Sequence, residues 1–310
     1  MHTKPRHFKS ISQKQKNKIK RFLFVSSILV IPIAVFLVFW LYVNFDSILL
    51  SFQKEVYTDG NMQLVFTLDN FKRVFESLFL EKSLLTAFRN TSLFYLVSVI
   101  VIFPISLLMA YFVYKKIVLH KFFRVVAYIP NIITSAALVA LFRYTFMMGG
   151  PYNAILNLMN KTYTDPFNGI TALLMLVVYN VIFGFGGNMV ILGGAMNSIN
   201  VDCLEAGEID GCNWFQELIY LILPMIWPTI STMLILGFAG LMSATGPILA
   251  MTPNNTETFS LSYVLYSYAT GVGFYGQDIY YASAVGLVMT LVTFPLVILM
   301  RKLLNKIQEA

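Results

Sequence analysis

The chain has 310 residues, 57% of them hydrophobic and only 12% charged, with a mean hydropathy of +0.71. A soluble domain of this length cannot hide so much apolar surface, so the excess faces lipid. The net charge of +7 does not point to nucleic acid, because eight of the 22 basic residues (Lys4, Arg6, Lys9, Lys14, Lys16, Lys18, Lys20 and Arg21) precede Phe22, a clustering that belongs to membrane topology.

A helix needs about 20 apolar residues to cross the hydrocarbon core. Six segments meet that requirement: 22–43, 91–114, 125–146, 170–192, 221–250 and 281–300. The sequence therefore predicts an all-α integral membrane protein with six transmembrane helices. Residues 1–21 form a basic tail. The apolar run behind it is too long for a signal peptide, and no small-residue cleavage site precedes the polar stretch at Asn44, so 22–43 reads as a retained first span. Lys115, Lys116, Lys121 and Arg124 lie between spans two and three, and Arg301, Lys302 and Lys306 follow span six. Basic residues near spans stay on the cytoplasmic side, which places both tails, 1–21 and 301–310, inside.

Residues 44–90 are expected outside. Phe71, Val74, Phe75, Leu78 and Phe79 repeat at helical spacing behind Asp69, a candidate N-cap, and predict an amphipathic helix at the interface. Spans two to six make a core over 91–300. Its outer loops, 147–169 and 251–280, are rich in Gly, Asn, Thr, Pro and Tyr, a mixture suited to irregular structure and polar contacts.

The inner loop 193–220 contains Asp202, Glu205, Glu208, Asp210 and Glu217 but no Lys or Arg, so topology does not explain it. Asp202 followed by Glu205 has the form of a capping box, Gly211 is placed to end the helix it begins, and Asn213 with Gln216 repeats the signal. Two short helices joined at a glycine would make a knob, with Ala206 and Gly207 leaving its flank open to another surface. A plain solvated acidic loop would also fit these residues.

The run Glu205-Ala206-Gly207-x-x-Asp210-Gly211-Cys212, with Leu223-Pro224 in register downstream, resembles the coupling loop of membrane subunits in binding-protein-dependent ABC importers. It is most similar to the carbohydrate-uptake branch, exemplified by the maltose transporter. Asn90-Thr91, Phe123-Arg124 with Pro130, Gly149-Gly150 with Asn153, and Tyr281-Ala282-Ser283-Ala284 agree with it, so the resemblance extends over nearly the whole chain from span one onward. Gly207 departs from the usual Ala and loosens the helix by up to about 1 kcal/mol.

The resemblance implies a type I ABC importer permease fold in a bacterial cytoplasmic membrane. It also implies that Glu205, Ala206, Gly207, Asp210, Gly211 and Pro224 couple the chain to a cytoplasmic ATPase. The partners it implies are a homologous second permease subunit, two ATPase subunits and an extracytoplasmic sugar-binding protein, with the bilayer around them. ATP and magnesium would sit on the ATPase, and this chain would bind no cofactor. The chain would translocate a sugar, in particular an oligosaccharide, by alternating access.

The residues agree with a transport subunit that is not an enzyme. No Gly-x-x-x-x-Gly-Lys-Ser/Thr phosphate cradle occurs. The histidines, His2, His7 and His120, lie in or near basic segments, and Cys203 and Cys212 have neither redox nor zinc spacing. The competing class is an ion-gradient-driven secondary transporter of a small polar solute. Proton coupling needs an ionisable group within the membrane, yet the six expected spans contain no Asp, Glu, Lys or His, and Arg143 lies near the outer end of the third. Sodium coupling through carbonyl oxygens stays open.

Positions matching the sugar site of the maltose transporter's larger membrane subunit are Gly184 and Gly187 before the loop, and Gly237, Gly240, Leu241 and Ala244 after it. Apart from Gly184, where both have glycine, small or apolar residues replace that subunit's sugar contacts. Two readings follow: glycines for close helix packing, or a wide passage for a bulky oligosaccharide. In the second, Asn180, Asn188, Ser243 and Thr245 supply sparse hydrogen bonds.

Overall fold

The computed structural model describes residues 13–58, 61–80, 83–240 and 246–309. Most of the basic tail and the expected passage residues Leu241, Ser243 and Ala244, with Thr245, lie outside them. Helix α1 runs through Gln13–Val35, a π-helical Phe36–Tyr42, and Val43–Ser51. It passes the expected end at Val43 because its polar residues satisfy themselves on the preceding turn. Asn44 Nδ2 donates to Trp40 O at 2.6 Å and Ser47 Oγ to Val43 O at 2.9 Å. An unforeseen antiparallel hairpin follows, β1 (Gln53–Thr58) with β2 (Asn61–Phe66), Gln53 opposite Phe66.

The expected amphipathic helix is α2 (Asp69–Phe79), but Asp69 is its first residue rather than its cap. The cap position is Leu68, and the Asp69 N–H donates to Thr67 Oγ1 at 3.1 Å. Val74 is fully buried, and Phe71 and Leu78 pack on the core with it. This helix is tied down by charge as well. Arg73 Nη1 lies 2.8 Å from Asp278 Oδ2, its guanidinium sits 4.5 Å above the Tyr281 ring, and Tyr280 donates to Glu55 at 2.8 Å.

Helix α3 is one rod: Ser83–Val97, a π-helical Ser98–Ile102, and Phe103–Tyr114. The helix that carries the second expected span thus begins at Ser83, eight residues before 91. The third expected span is broken, and α4 (His120–Ile132) meets the helical stretch that starts at Ser135 at 102°. Pro130 removes a helix donor, and Ile133 and Thr134 then turn extended, with ψ of 141° and 138°, before α5 (Ser135–Phe146) resumes. The loop 147–169, expected to be irregular, carries α6 (Pro151–Leu158).

The long α7 (Thr171–Met196) leads to α8 (Val201–Ile209) and α9, which comprises Trp214–Gln216, a π-helical Glu217–Ile222 and Leu223–Met225. The fifth expected span is also broken: α9 and α10 (Trp227–Ala239) meet at 72° around Ile226, between Pro224 and Pro228. After α11 (Gly246–Met251), the segment 251–280 is not the irregular loop expected. A 3-10 turn (Thr256–Thr258) and α12 (Leu261–Thr270) plug into the bundle, with Leu261 and Tyr263 fully buried. Helix α13 (Ile279–Glu309) completes the chain.

Among the described residues four helices are long and apolar enough to cross a membrane, and six if each bent pair is one span. Two apolar clusters hold the bundle. One gathers α2, α5, α7, α12 and α13 at the hairpin end, and the other gathers α3, α7, α8, α9 and α10 at the opposite, knob end. Most of α1 stands clear of both, while Val43–Ser51 packs on α13. Arg143, the charge noted in span three, donates to Ala250 O at 2.8 Å and joins α5 to α11.

Candidate functional site

The knob is built by its caps. Asn200 Oδ1 accepts the Asp202 N–H at 3.2 Å, so Asn200 is the cap of α8 and the expected Asp202/Glu205 box does not form. Asp202 instead sits in the first turn, where its charge suits the helix dipole. Gly211 ends the helix as expected, with φ +80°, and the Cys212 N–H returns to Gly207 O at 3.0 Å. The second box forms in full: Asn213 Oδ1 accepts from Phe215 and Gln216 at 3.1 and 3.0 Å, and Gln216 Oε1 accepts from Asn213 at 3.0 Å.

The knob has two unlike faces. On the inner one, Leu204, Leu218 and Ile222 are buried in the same cluster as Tyr111, Leu192 and Met196. Gly207 belongs here too, which corrects the open-flank expectation, because a Cβ on it would run into Leu221 Cδ1. Ala206, by contrast, is exposed, and so is Pro224.

The five acids separate in the same way. Glu217, its side chain 7% exposed, lies 2.8 Å from Lys115 Nζ and accepts from the Tyr111 hydroxyl at 3.1 Å. Lys115 also reaches Glu208 at 3.3 Å. Burial draws the Lys115 ammonium's pKa down, but the Glu217 and Glu208 carboxylates outweigh it and the net shift is upward. Asp202, Glu205 and Asp210 are exposed and form no ion pair among the described residues. Beside them Ile209 is 87% exposed, and Trp214 and Phe215 are more than half exposed. Together they form an exposed apolar patch bordered by carboxylates. In the sequence Lys115 carries only a topology signal, and no local pattern singles out Tyr111.

A cavity of about 250 Å³ opens between α3, α7, α10 and the start of α12, lined by Thr91, Phe94, Tyr95, Ser98, Ile102, Asn180, Gly184, Gly237, Gly240, Ser260 and Ser262. Asn180 and Gly184 lie 9 and 13 residues into the 26-residue α7, roughly 14–20 Å along it and so near its middle. Four expected passage residues, Asn180, Gly184, Gly237 and Gly240, meet here. The glycines keep it open: among the described residues a Cβ at Gly240 would touch nothing within 4 Å, one at Gly237 would stand 3.8 Å from Tyr95, and one at Gly184 3.4 Å from Ile102.

Gly187 is not in the lining; a Cβ on it would stand 3.1 Å from Asn131 Oδ1 of α4. Asn188 is half-buried one turn beyond Gly184 and also outside the lining. The close helix contact falls instead on Gly186, where a Cβ would collide with the Ala127 carbonyl. Among the described residues no charged side chain lines the cavity. Its polar groups are the Thr91 and Ser98 hydroxyls, the Ser260–Ser262 pair at 2.9 Å, Asn180, and Tyr95, which donates to Leu234 O at 3.2 Å and sets its ring edge-on to Phe238. The wall from α3 was legible as one face: Thr91, Phe94, Tyr95, Ser98 and Ile102 recur at helical spacing.

The model of the binding-protein-dependent transport system inner membrane component matches residues 102–309. Curated relatives include a probable ABC transporter permease protein, MG188, of Mycoplasma genitalium, 31% identical over 181 residues, 53% of this chain and 52% of that one. The maltose/maltodextrin transport system permease protein MalF of Vibrio vulnificus is 26% identical over 74% of this chain and 46% of its own. The arabinooligosaccharides transport system permease protein AraP of Halalkalibacterium halodurans is 24% identical over 84% and 80%. The chain thus spans about half the length of the first two. The crystal structure of a bacterial ABC transporter involved in the import of the acidic polysaccharide alginate superposes with a TM-score of 0.77, covering 95% of this chain and 99% of that one at 20% identity, which establishes the shared fold. With the family model spanning the knob-end half of α3, the knob, both broken spans and α13, this chain belongs to the inner membrane components of binding-protein-dependent transport systems.

Proposed function

We propose that the chain is a permease subunit of an ATP-driven sugar importer, with the knob seated on a cytoplasmic ATPase. The observation that carries this is the knob's division of labour. Its inner face is clamped to α3 through Glu217, Lys115 and Tyr111, while its outer face leaves Glu205, Ala206, Ile209 and Asp210 bare. A surface so exposed needs a partner, and one so anchored transmits the partner's motion to the spans. In this reading ATP and magnesium are bound by two ATPase subunits. A homologous second permease completes the membrane part, and an extracytoplasmic sugar-binding protein delivers cargo at the hairpin end. The knob, the turn after α3 and both termini face the cytoplasm of the cell membrane, in accord with the basic residues there.

The central cavity is the passage, opened alternately to either side. Aromatic faces and hydroxyls without charges suit a neutral sugar. Relatives named for maltodextrins and arabinooligosaccharides support an oligosaccharide, whereas the acidic alginate of the structural neighbour would meet no cation among the described residues of this lining. The test is reconstitution with the partner subunits. Gly211→Pro and Glu205→Arg should insert and assemble normally but lose sugar-dependent ATP hydrolysis and uptake. Full activity in both, or uptake driven by an imposed ion gradient without ATP, would refute the reading.

A further inference from the structure

A second cavity at the knob end, of about 340 Å³, lies between the end of α3, the turn behind it, α4 and the last turns of α7. Lys116, His120 and Arg124 stand on one wall, while Gly193, Gly194 and Asn197 form the other. Unlike Lys115, whose charge is taken by Glu217 and Glu208, Lys116 and Arg124 have no ion-pair partner among the described residues. The two glycines leave their wall open, since a Cβ on either would meet nothing within 4 Å. The turn that carries the cations is itself bent into this shape, with Lys116 at φ 53° and Leu119 at φ 65°, both left-handed without being glycine.

An apolar groove of about 310 Å³ adjoins it and shares Val113 and His120 with it. Its walls are Phe112, Ile117, Val118 and Phe123, and Val118 is 83% exposed. Topology explains basic residues here, but not a concave cation site continuous with an exposed apolar trough.

We propose that the two form one binding site for an anionic phospholipid. The phosphate rests against Lys116, His120 and Arg124, and an acyl chain lies along the groove. A free phosphate would use the first cavity and leave the second empty, so the pair favours the lipid. This rests on the membrane embedding alone and stands or falls separately from the sugar reading.

The test uses the full chain in nanodiscs of phosphatidylglycerol mixed with phosphatidylcholine, with retained lipid counted by native mass spectrometry. Lys116→Gln with Arg124→Gln should lower the preference for phosphatidylglycerol about 5-fold per charge removed. Lys116→Arg should keep it, and so should Lys121→Gln, which removes an exposed charge of α4 that lines neither cavity. Val118→Ser should weaken retention of phosphatidylglycerol, and millimolar inorganic phosphate should fail to displace it. An equal loss in Lys121→Gln would reduce the effect to general surface charge, and displacement by inorganic phosphate would make this a free-anion site. Either result overturns the proposal.

Discussion

Replacing Lys115 with Ala strands the Glu217 carboxylate in the knob's inner face with only the Tyr111 hydroxyl for company. Lys115 and Glu217 side chains are 27% and 7% exposed and 2.8 Å apart, so the pair is shielded enough for its loss to cost about 3 kcal/mol. Glu208, 66% exposed, meets the same ammonium at 3.3 Å, and its removal should cost no more than about 1 kcal/mol. At roughly 2–4 °C per kcal/mol, Lys115→Ala should lower the Tm of the purified chain by about 6–12 °C, and Glu208→Ala by about 4 °C or less. The triple variant Tyr111→Phe/Lys115→Met/Glu217→Leu removes charge and hydroxyl together, leaves nothing buried without a partner, and should return to within about 1 kcal/mol of wild type. Differential scanning fluorimetry in detergent reads all three. Equal shifts for Lys115→Ala and Glu208→Ala, or a triple variant less stable than Lys115→Ala, would show that the clamp does not hold the knob. Because the Lys115 pKa is raised on folding, its contribution is complete below the ordinary value of 10.5 and is lost only as pH rises through the folded value. Stability profiles at neutral pH should therefore carry no Lys115 step.

Gly186→Ala drives a methyl into the Ala127 carbonyl, so it should lower the Tm or prevent assembly, whereas Gly240→Ala, facing open space, should leave both unchanged. Gly184→Trp and Gly240→Trp should yield stable complexes that hydrolyse ATP but transport little sugar, and unchanged uptake would remove the cavity from the passage. Gly207→Ala crowds only the mobile tip of Leu221 and gains up to about 1 kcal/mol of helix propensity, so its Tm should move by no more than a few degrees. Arg73→Gln loses both the Asp278 ion pair and the Tyr281 face, and limited proteolysis should then cut between residues 52 and 80 faster than in wild type.

What could be read from the sequence was whatever obeyed a period or a local cap. The apolar runs gave the spans, and Gly211 and the Asn213/Gln216 box gave the knob's second half. Two local signals were passed over. Asp59-Gly60, a favoured two-residue hairpin sequence, lies between the paired strands, and Asn200 competed with Asp202 as cap and won because its extended backbone lets Oδ1 reach the Asp202 N–H. The breaks in spans three and five were marked by Pro130, Pro224 and Pro228, yet hydropathy averages across a bend as readily as along a rod. The buried plug at 256–270 was hidden because its Ser, Thr and Tyr side chains look like loop residues. Their hydroxyls bond to backbone, as Tyr263 does to Pro253 O at 2.5 Å and Ser267 to Tyr275 O at 3.2 Å, which lets them be buried. Which glycine serves packing and which serves space is a three-dimensional matter: Gly184, Gly186 and Gly187 are neighbours in sequence, yet the first faces Ile102 of α3 and the other two face α4.

The clamp and the cavity lie on the same helix, and this links the two halves of the site. Tyr111, at the knob end of α3, holds Glu217, while Thr91, Tyr95, Ser98 and Ile102 of the same helix line the cavity. From Tyr111 to Ile102 is nine residues, about 14 Å at helical rise. The rod is not uniform, since its π-helical stretch Ser98–Ile102 falls where the cavity begins. A wide turn of this kind weakens the i→i−4 ladder locally and often marks a working position. Farther along, Asn90 ties α3 to the plug through the carbonyls of Glu257 and Phe259 at 2.7 and 3.0 Å. Under the proposed coupling, a displacement of the knob reaches the inner half of α3 through Tyr111 and Lys115, while Asn90 anchors the outer half. The bend then concentrates in the π-helical stretch, against the passage itself.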